Sequence, residues 1–377
     1  MSLSDLDQSR YPQLSAPPRL LLGPGPSLVD PRVLQVMATP LVGHLDPFFL
    51  ELMDRTQSLL RQVFQTENQI TIPVSGTGSA AMEAAVANMV EPGTPVLVCI
   101  NGYFGGRIAE MASRYGGEVQ TINRPWGEIF TPEEVKQALG ERQAKVVAIV
   151  QAETSTGALQ PIDEIARIVH EQGGILIVDA VTSLGGVPLK VDEMDIDVCY
   201  SGSQKCLSCP PGISPITLGP RAVEVLDQRE TKVANWYLDL SMVRAYWGSE
   251  RTYHHTAPIS MVYGLYEALR IVFEEGLENR WARHRRNAGL LWDGLEEIGL
   301  ELHVPLDYRL PSLTTVRVPD GVDEMAIRQG LLQDYNIEIS GGLGELKGKV
   351  WRVGLMGFSS RRENVRLLLS ALAELLG

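Results

Sequence analysis

Between residues 70 and 205 the chain alternates short runs of consecutive apolar residues with longer stretches whose apolar positions recur at helical spacing. The runs are "ITIPV", "VLVCI", "VVAIVQA", "ILIVDA" and "IDVCYSG"; the stretches include "SAAMEAAVANMV", "GRIAEMASRYGG" and "PIDEIARIVHEQGG". A strand with one wet face alternates apolar and polar residues, whereas one covered on both faces is apolar throughout. The runs therefore predict a mostly parallel sheet flanked by helices, an α/β fold. The helix "PIDEIARIVHEQGG" is well punctuated, with Pro161 at its start, acids in its first turn, and Gly173 and Gly174 at its end.

Near residue 275 the character changes. A charged helical segment, "EEGLENRWARHRRNAGLLWDGLEEIGL", is followed by strand-like "LTTVRV", a helix around "EMAIRQGLLQDY", strand-like "IEIS" and "WRVGL", and a last helix "RENVRLLLSALAELL". This predicts a polar arm over 1–18, a large domain over 19–275 and a smaller C-terminal α+β domain with an antiparallel sheet over 276–377. There is no internal repeat.

In an open α/β sheet, ligands bind beyond the carboxyl ends of the strands. The segments after the strands are "SGTGS" (75–79), "NGYFGG" (101–106), "ETSTG" (153–157), "DAVTS" (179–183) and "SGSQK" (201–205). "SGTGSAA" closes a strand and opens a helix, so its backbone N–H groups suit an anion. Gly76, Gly78 and Ala81 also match a dinucleotide fingerprint, but that needs an acid at the tip of the next strand, where Asn101-Gly102 stands. A single phosphate fits better, and a tight glycine turn without ligand is the plain alternative. Asp179 ends a wholly apolar strand, where an unpaired carboxylate costs on the order of several kcal/mol. It calls for a cation or a set of donors, unless it only caps the local turn. Lys205 follows one strand later, so both project from the same edge of the sheet. An anion for a helix end, a basic ring nitrogen for an aspartate and an electrophile for a lysine occur together in pyridoxal 5'-phosphate. Its aldehyde forms a Schiff base with a lysine amine.

Composition narrows the partners. With 46 acidic against 33 basic residues the net charge is -13, which disfavours nucleic acid and anionic membrane surfaces and leaves small metabolites. No run approaches the length of a membrane span, and the start has neither the basic end nor the apolar stretch of a secretory signal, so a cytoplasmic protein is expected. Cys99, Cys199, Cys206 and Cys209 are too few for a disulfide framework and are expected as reduced, structural thiols. No metal is expected. The histidine pair in "YHHT" lacks a carboxylate motif, and adjacent histidines point apart on a helix or strand.

The segments "LLLGPGPS" (20–27), "VFQTEN" (63–68), "SGTGSAAMEAAVANMVEPG" (75–93), "ETSTGALQP" (153–161), "VDAVTSLGGVPL" (178–189), "YSGSQKCLSCPPG" (200–212), "YHHTAP" (253–258), "GLENRWARHR" (276–285), "IEISGGLG" (337–344) and "WRVGLMG" (351–357) occur in this order along nearly the whole chain. In them the chain resembles the class V, fold type I aminotransferases that use pyridoxal 5'-phosphate, specifically the alanine–glyoxylate and serine–pyruvate group. The resemblance implies a seven-stranded-type sheet and a homodimer with shared active sites. It makes Lys205 the Schiff-base lysine and proton shuttle, and Asp179 the pyridinium partner. Thr77, Gly78, Ser79 and Gln204 would cradle the phosphate. Val181 would pack on one ring face, Phe104 on the other where the family usually has tryptophan, and Thr154 would lie near the ring hydroxyl. Tyr253 and Thr256 would reach the phosphate from a second subunit. Arg352, which taken alone reads more readily as an edge or salt-bridge residue, would grip the substrate carboxylate, with Gly25 and Thr154 close by. Transamination between alanine or serine and glyoxylate or pyruvate follows, alanine–glyoxylate first and serine–glyoxylate second. A desulfurase or other lyase of the same fold is remoter: no cysteine follows Cys209, and Gln204 stands where desulfurases carry histidine. A noncatalytic cofactor-binding regulator would carry a DNA-binding module, and none is visible.

Overall fold

The computed structural model describes residues 13–142 and 144–377. Of the expected N-terminal arm, residues 1–12 lie outside the described residues, and 13–18 are exposed without regular structure.

The apolar runs assemble into one sheet of seven strands: β1 (Ile70–Val74), β2 (Pro95–Ile100), β3 (Glu118–Asn123), β4 (Val146–Val150), β5 (Ile175–Asp179), β6 (Val198–Tyr200) and β7 (Ser214–Leu218). The spatial order is β1-β7-β6-β5-β4-β2-β3. β7 is antiparallel to both its neighbours and all other pairs are parallel. β3 and β7 exceed the strands read from the apolar runs, for different reasons. β3 is an edge strand, exposed or half-buried at each of its positions, so it carries no continuous apolar run. β7 contains Pro215, which lacks a donor and argues against an interior strand, yet it sits opposite Pro73 of β1 in register.

Helices α1 (Gly78–Met89), α2 (Tyr103–Arg114) and α3 (Asp163–Glu171) follow β1, β2 and β4, and the main apolar core lies between such helices and the sheet. α3 starts two residues after Pro161 and stops before Gly173, as the punctuation predicts. The chain then enters the long helix α4 (Leu277–Glu297), α5 (Glu324–Asp334) and α6 (Arg362–Leu376). These cover an antiparallel sheet of order β8-β10-β9, formed by β8 (Leu313–Arg317), β9 (Ser340–Gly341) and β10 (Val350–Gly354). The expected strand "IEIS" is divided. Ile337–Glu338 pairs in parallel with Leu20–Leu21, and Ser340–Gly341 pairs with β10.

A second core gathers Leu22 with Leu291, Ile337, Trp351 and Leu368. Leu20–Leu22, expected to begin the large domain, therefore packs with the C-terminal unit. A small third cluster, with Ala152, Val187, Cys206, Leu313 and Met356, lies directly beside Lys205 and joins the two.

Candidate active site

The strand ends converge as the α/β topology requires. Asp179, the last residue of β5, is opposite Tyr200, the last residue of β6. It is 2% exposed; its Oδ1 accepts from Val181 N (2.9 Å) and its Oδ2 from the Tyr200 hydroxyl (2.9 Å). Burial pushes this carboxyl up to about 6, although both donors, and the charges of Lys205 and Arg107, favour ionisation. The Val181 contact is the local turn cap foreseen as the plain reading; the Tyr200 contact ties the carboxylate to the neighbouring strand as well.

Lys205 sits in the turn after β6. Ser201 and Ser203 satisfy their hydroxyls on Ala180 O (2.9 Å) and Pro210 O (2.7 Å), so the turn is held without filling the space above it. The Lys205 ammonium donates to Pro24 O. Burial brings its pKa down to about 8, and the Arg352 guanidinium acts in the same direction, against Cys206 and Asp179. Gly25 lies against it: its φ of +109° is a glycine conformation, and a Cβ there would stand 2.6 Å from Lys205 Nζ.

A cavity of about 160 Å³ opens between these groups, lined by Gly78, Ser79, Phe104, Thr154, Asp179, Val181, Gln204 and Lys205, with Arg107 at its wall. Thr77 is the N-cap of α1 and its side chain makes no cap bond. As first residues of the helix, Gly78 and Ser79 have no carbonyl one turn earlier to receive their N–H groups. Gly78 faces Gly202 and Val181, from which a Cβ would be 3.6 and 3.7 Å away. Gln204 Oε1 is buried without a partner.

Arg352, in the centre of the small sheet, is 6% exposed and donates from Nε to Gly341 O (2.8 Å) and from Nη1 to Thr154 O (3.2 Å). Burial lowers its pKa to about 10, offset in part by the charge of Glu153. Held by carbonyls, the guanidinium keeps its full charge for an anion. Tyr253 and Thr256 are not brought to the cavity by their own chain. Both are exposed, and the Tyr253 ring lies 5.3 Å from that of His44.

The structure also corrects the reading of "YHHT". The segment is neither helix nor strand, and the two rings meet, His254 Nδ1 to His255 Nδ1 at 2.8 Å. His255 Nε2 lies 2.6 Å from Ser75 Oγ, next to the α1 loop, and burial lowers its pKa to about 4, with His254 and His44 adding to the effect.

Three site residues escaped the sequence reading. Tyr200 is legible only through strand register. Arg107 follows Phe104 by three positions on α2, a spacing that shares one helix face. Glu153 carries the same signal as Asp179, an acid closing an apolar strand. Fully buried, its Oε1 accepts from Ser155 N (3.0 Å) and Oγ (2.6 Å) and its Oε2 from Phe104 N (3.2 Å), while Tyr103 N donates to Ser155 Oγ (2.9 Å). Glu153 and Ser155 thus cap α2, whose own N-cap, Gly102, has no side chain. A Cβ on Gly102 would stand 2.2 Å from Glu153 Cγ.

The family model described as aminotransferase class-V matches residues 21–365. The (S)-ureidoglycine–glyoxylate transaminase of Bacillus subtilis (strain 168) is 40% identical, over 97% of this chain and 92% of its own length. The alanine–glyoxylate aminotransferase of Rattus norvegicus is 42% identical, over 96% and 89%. The crystal structure of an alanine–glyoxylate aminotransferase from Nostoc sp. superposes with a TM-score of 0.96 at 57% identity, covering 99% of this chain and 100% of that one. A cysteine desulfurase from Thermococcus onnurineus NA1, at 15% identity and a TM-score of 0.73, shares the fold alone. With the parallel sheet, the strand-end cavity and a family match along nearly its whole length, the chain belongs to the class V aminotransferases, enzymes of the pyridoxal-phosphate-dependent fold type I.

Proposed function

We propose that this aminotransferase moves the amino group of alanine to glyoxylate, using pyridoxal 5'-phosphate held at Lys205. The observation that carries the reading is the convergence of Lys205, Asp179 and the α1 N-terminus on one cavity, with Arg352 behind it. The residues fit the cofactor. The α1 amides suit a phosphate, and the side-chain NH2 of Gln204, which lines the same cavity, is a further donor for it. The gap between Val181 and Phe104 suits a flat ring, and the buried Asp179 carboxylate suits its nitrogen. When bound, the cofactor supplies an aldehyde that captures amines and a cationic ring that withdraws electrons from the substrate.

The chain's own residues do the rest. Asp179 holds the proton on the ring nitrogen. Arg352 binds the substrate carboxylate through the guanidinium N–H groups that its carbonyl contacts leave free. Lys205 Nζ takes the proton from the substrate Cα and delivers it onward. A pKa near 8 gives roughly 10²-fold more free amine at pH 7 than an ordinary lysine has. Gly25 leaves room for that amine. A homodimer, in which Tyr253 and Thr256 of one subunit complete the phosphate site of the other, accounts for their exposure. Four free, buried cysteines suit a reducing compartment such as the cytoplasm.

Both named relatives take glyoxylate, and one of them takes (S)-ureidoglycine as donor at nearly the same identity, so that donor is the second reading. The structure at 57% identity favours alanine. A panel of alanine, serine and (S)-ureidoglycine against glyoxylate tests it, with alanine expected to show the highest kcat/KM. Turnover with (S)-ureidoglycine and none with alanine would shift the assignment to that donor. Borohydride reduction should fix the cofactor to Lys205, and a label on any other lysine would remove the basis of the proposal.

A further inference from the structure

Arg107 stands on α2 at the rim of the cavity, with no role so far beyond its charge. Its guanidinium lies over the rings of Phe104 (5.0 Å to the centroid) and Tyr103 (5.3 Å), and its Nη1 donates to Ser79 Oγ at 3.3 Å. Ser79 is the second residue of α1, at the amides offered to the phosphate. In a chain with 46 acidic residues, the contacts of Arg107 among the described residues are one hydroxyl and two ring faces, none of them a carboxylate. Two aromatic rings fix the guanidinium's place, which reduces the entropy lost when it meets an anion. Its charge already reaches the site, since it favours the ionised form of Asp179.

We propose that Arg107 is a further cofactor-binding residue, placing a permanent positive charge beside the α1 amides for the phosphate dianion. This rests on the cofactor assignment made above. A helix end alone offers partial charge, whereas a guanidinium adds a full charge and a charge-assisted hydrogen bond.

The phosphate makes the test specific. The holoenzyme is stripped of cofactor, and wild type, Arg107→Gln and Arg107→Lys are titrated with pyridoxal 5'-phosphate and with pyridoxal, which lacks the phosphate. Binding is read from the absorbance of the lysine-bound aldehyde. Arg107→Gln should weaken the phosphorylated aldehyde by roughly 10- to 10²-fold and leave pyridoxal almost unchanged, with Arg107→Lys between. Inorganic phosphate should strengthen pyridoxal binding in wild type and do so less in Arg107→Gln. Equal losses for both aldehydes, or no loss for either, would overturn the proposal. If wild type bound neither aldehyde at Lys205, the cofactor assignment itself would fall and this inference with it.

Discussion

At the scale of single residues, the site is built from ionisable groups taken out of water. Lys205 is the simplest case: its ammonium is disfavoured by burial and by Arg352, so in the cofactor-free protein capture of an aldehyde should rise with pH through a midpoint near 8. A midpoint near 10 would mean that the amine is solvated. Lys205→Ala should abolish turnover, and Asp179→Ala should keep bound cofactor while losing most of the rate. Glu153 shows the opposite sign. Burial raises its carboxyl from 4.5 to about 7, with the Asp179 charge adding to the effect against the donors from Ser155 and Phe104. The folded state therefore binds a proton that the unfolded chain releases between those values, and stability falls as pH rises through that window. Glu153→Gln removes the titration. Its stability relative to wild type should climb by up to about 3 kcal/mol between pH 4.5 and 7, read by denaturant unfolding of the cofactor-free protein. A difference constant with pH would show that Glu153 titrates normally.

At the scale of elements, the question is what keeps the Lys205 turn and the Arg352 strand in register, since they belong to different units. Much of the answer lies in the first turns of α4. Arg280, 3% exposed, donates to Gly185 O (3.1 Å) and Cys206 O and pairs with Glu275 (2.7 Å), which also pairs with Arg283. Arg283 reaches the carbonyls of Gly357 (2.9 Å) and Ser360 (2.6 Å), just beyond β10. His284 Nδ1 faces Arg280 O at 2.7 Å and its Nε2 accepts from Gly357 N at 2.9 Å, an arrangement of the neutral ring, whose pKa burial lowers to about 3. Arg280→Ala would strand the carbonyls of Gly185 and Cys206, while Arg283 keeps Glu275 paired, so a loss of about 2–4 kcal/mol is expected in unfolding experiments. A loss under about 1 kcal/mol would show that solvent replaces the arginine. The N-terminal segment docks by close backbone approach: Gly354 N donates to Leu22 O at 2.7 Å, and a Cβ on Gly354 would stand 2.0 Å from Gly23 O. "GLENRWARHR" was visible in the sequence as a charged helix, but its inward-facing arginine was not. The apolar stripe of a helix does not say which charged residue lies at a junction between units.

At the scale of the whole molecule, an acidic surface and the proposed sharing of sites set the expectations. No helix among the described residues is long and apolar enough to cross a membrane. If Tyr253 and Thr256 serve the neighbouring subunit, two inactive variants should complement each other. Lys205→Ala mixed and refolded with a Tyr253→Phe, Thr256→Ala chain should regain activity well above either parent, because mixed dimers hold one complete site. Activity no higher than the parents' sum would place the pair outside the cofactor site. The aromatic surface around Tyr253 suits such an interface, since Trp236 stacks on His254 at 4.5 Å while remaining 58% exposed.

The order of apolar runs was enough to determine five co-directional strands of the sheet, and the residues after each run were enough to nominate Asp179, Lys205 and the α1 loop. Burial on both faces leaves a one-dimensional trace, and strand ends are where an α/β sheet exposes its chemistry. What required tertiary structure were the partners reached across the chain: Tyr200 through register, Glu153 as the cap of a helix that begins 50 residues before it, Arg107 through contact with Ser79, and Leu20–Leu21 through pairing with Ile337–Glu338. Such contacts depend on distance in space, and local periodicity carries no information about which distant segments will meet.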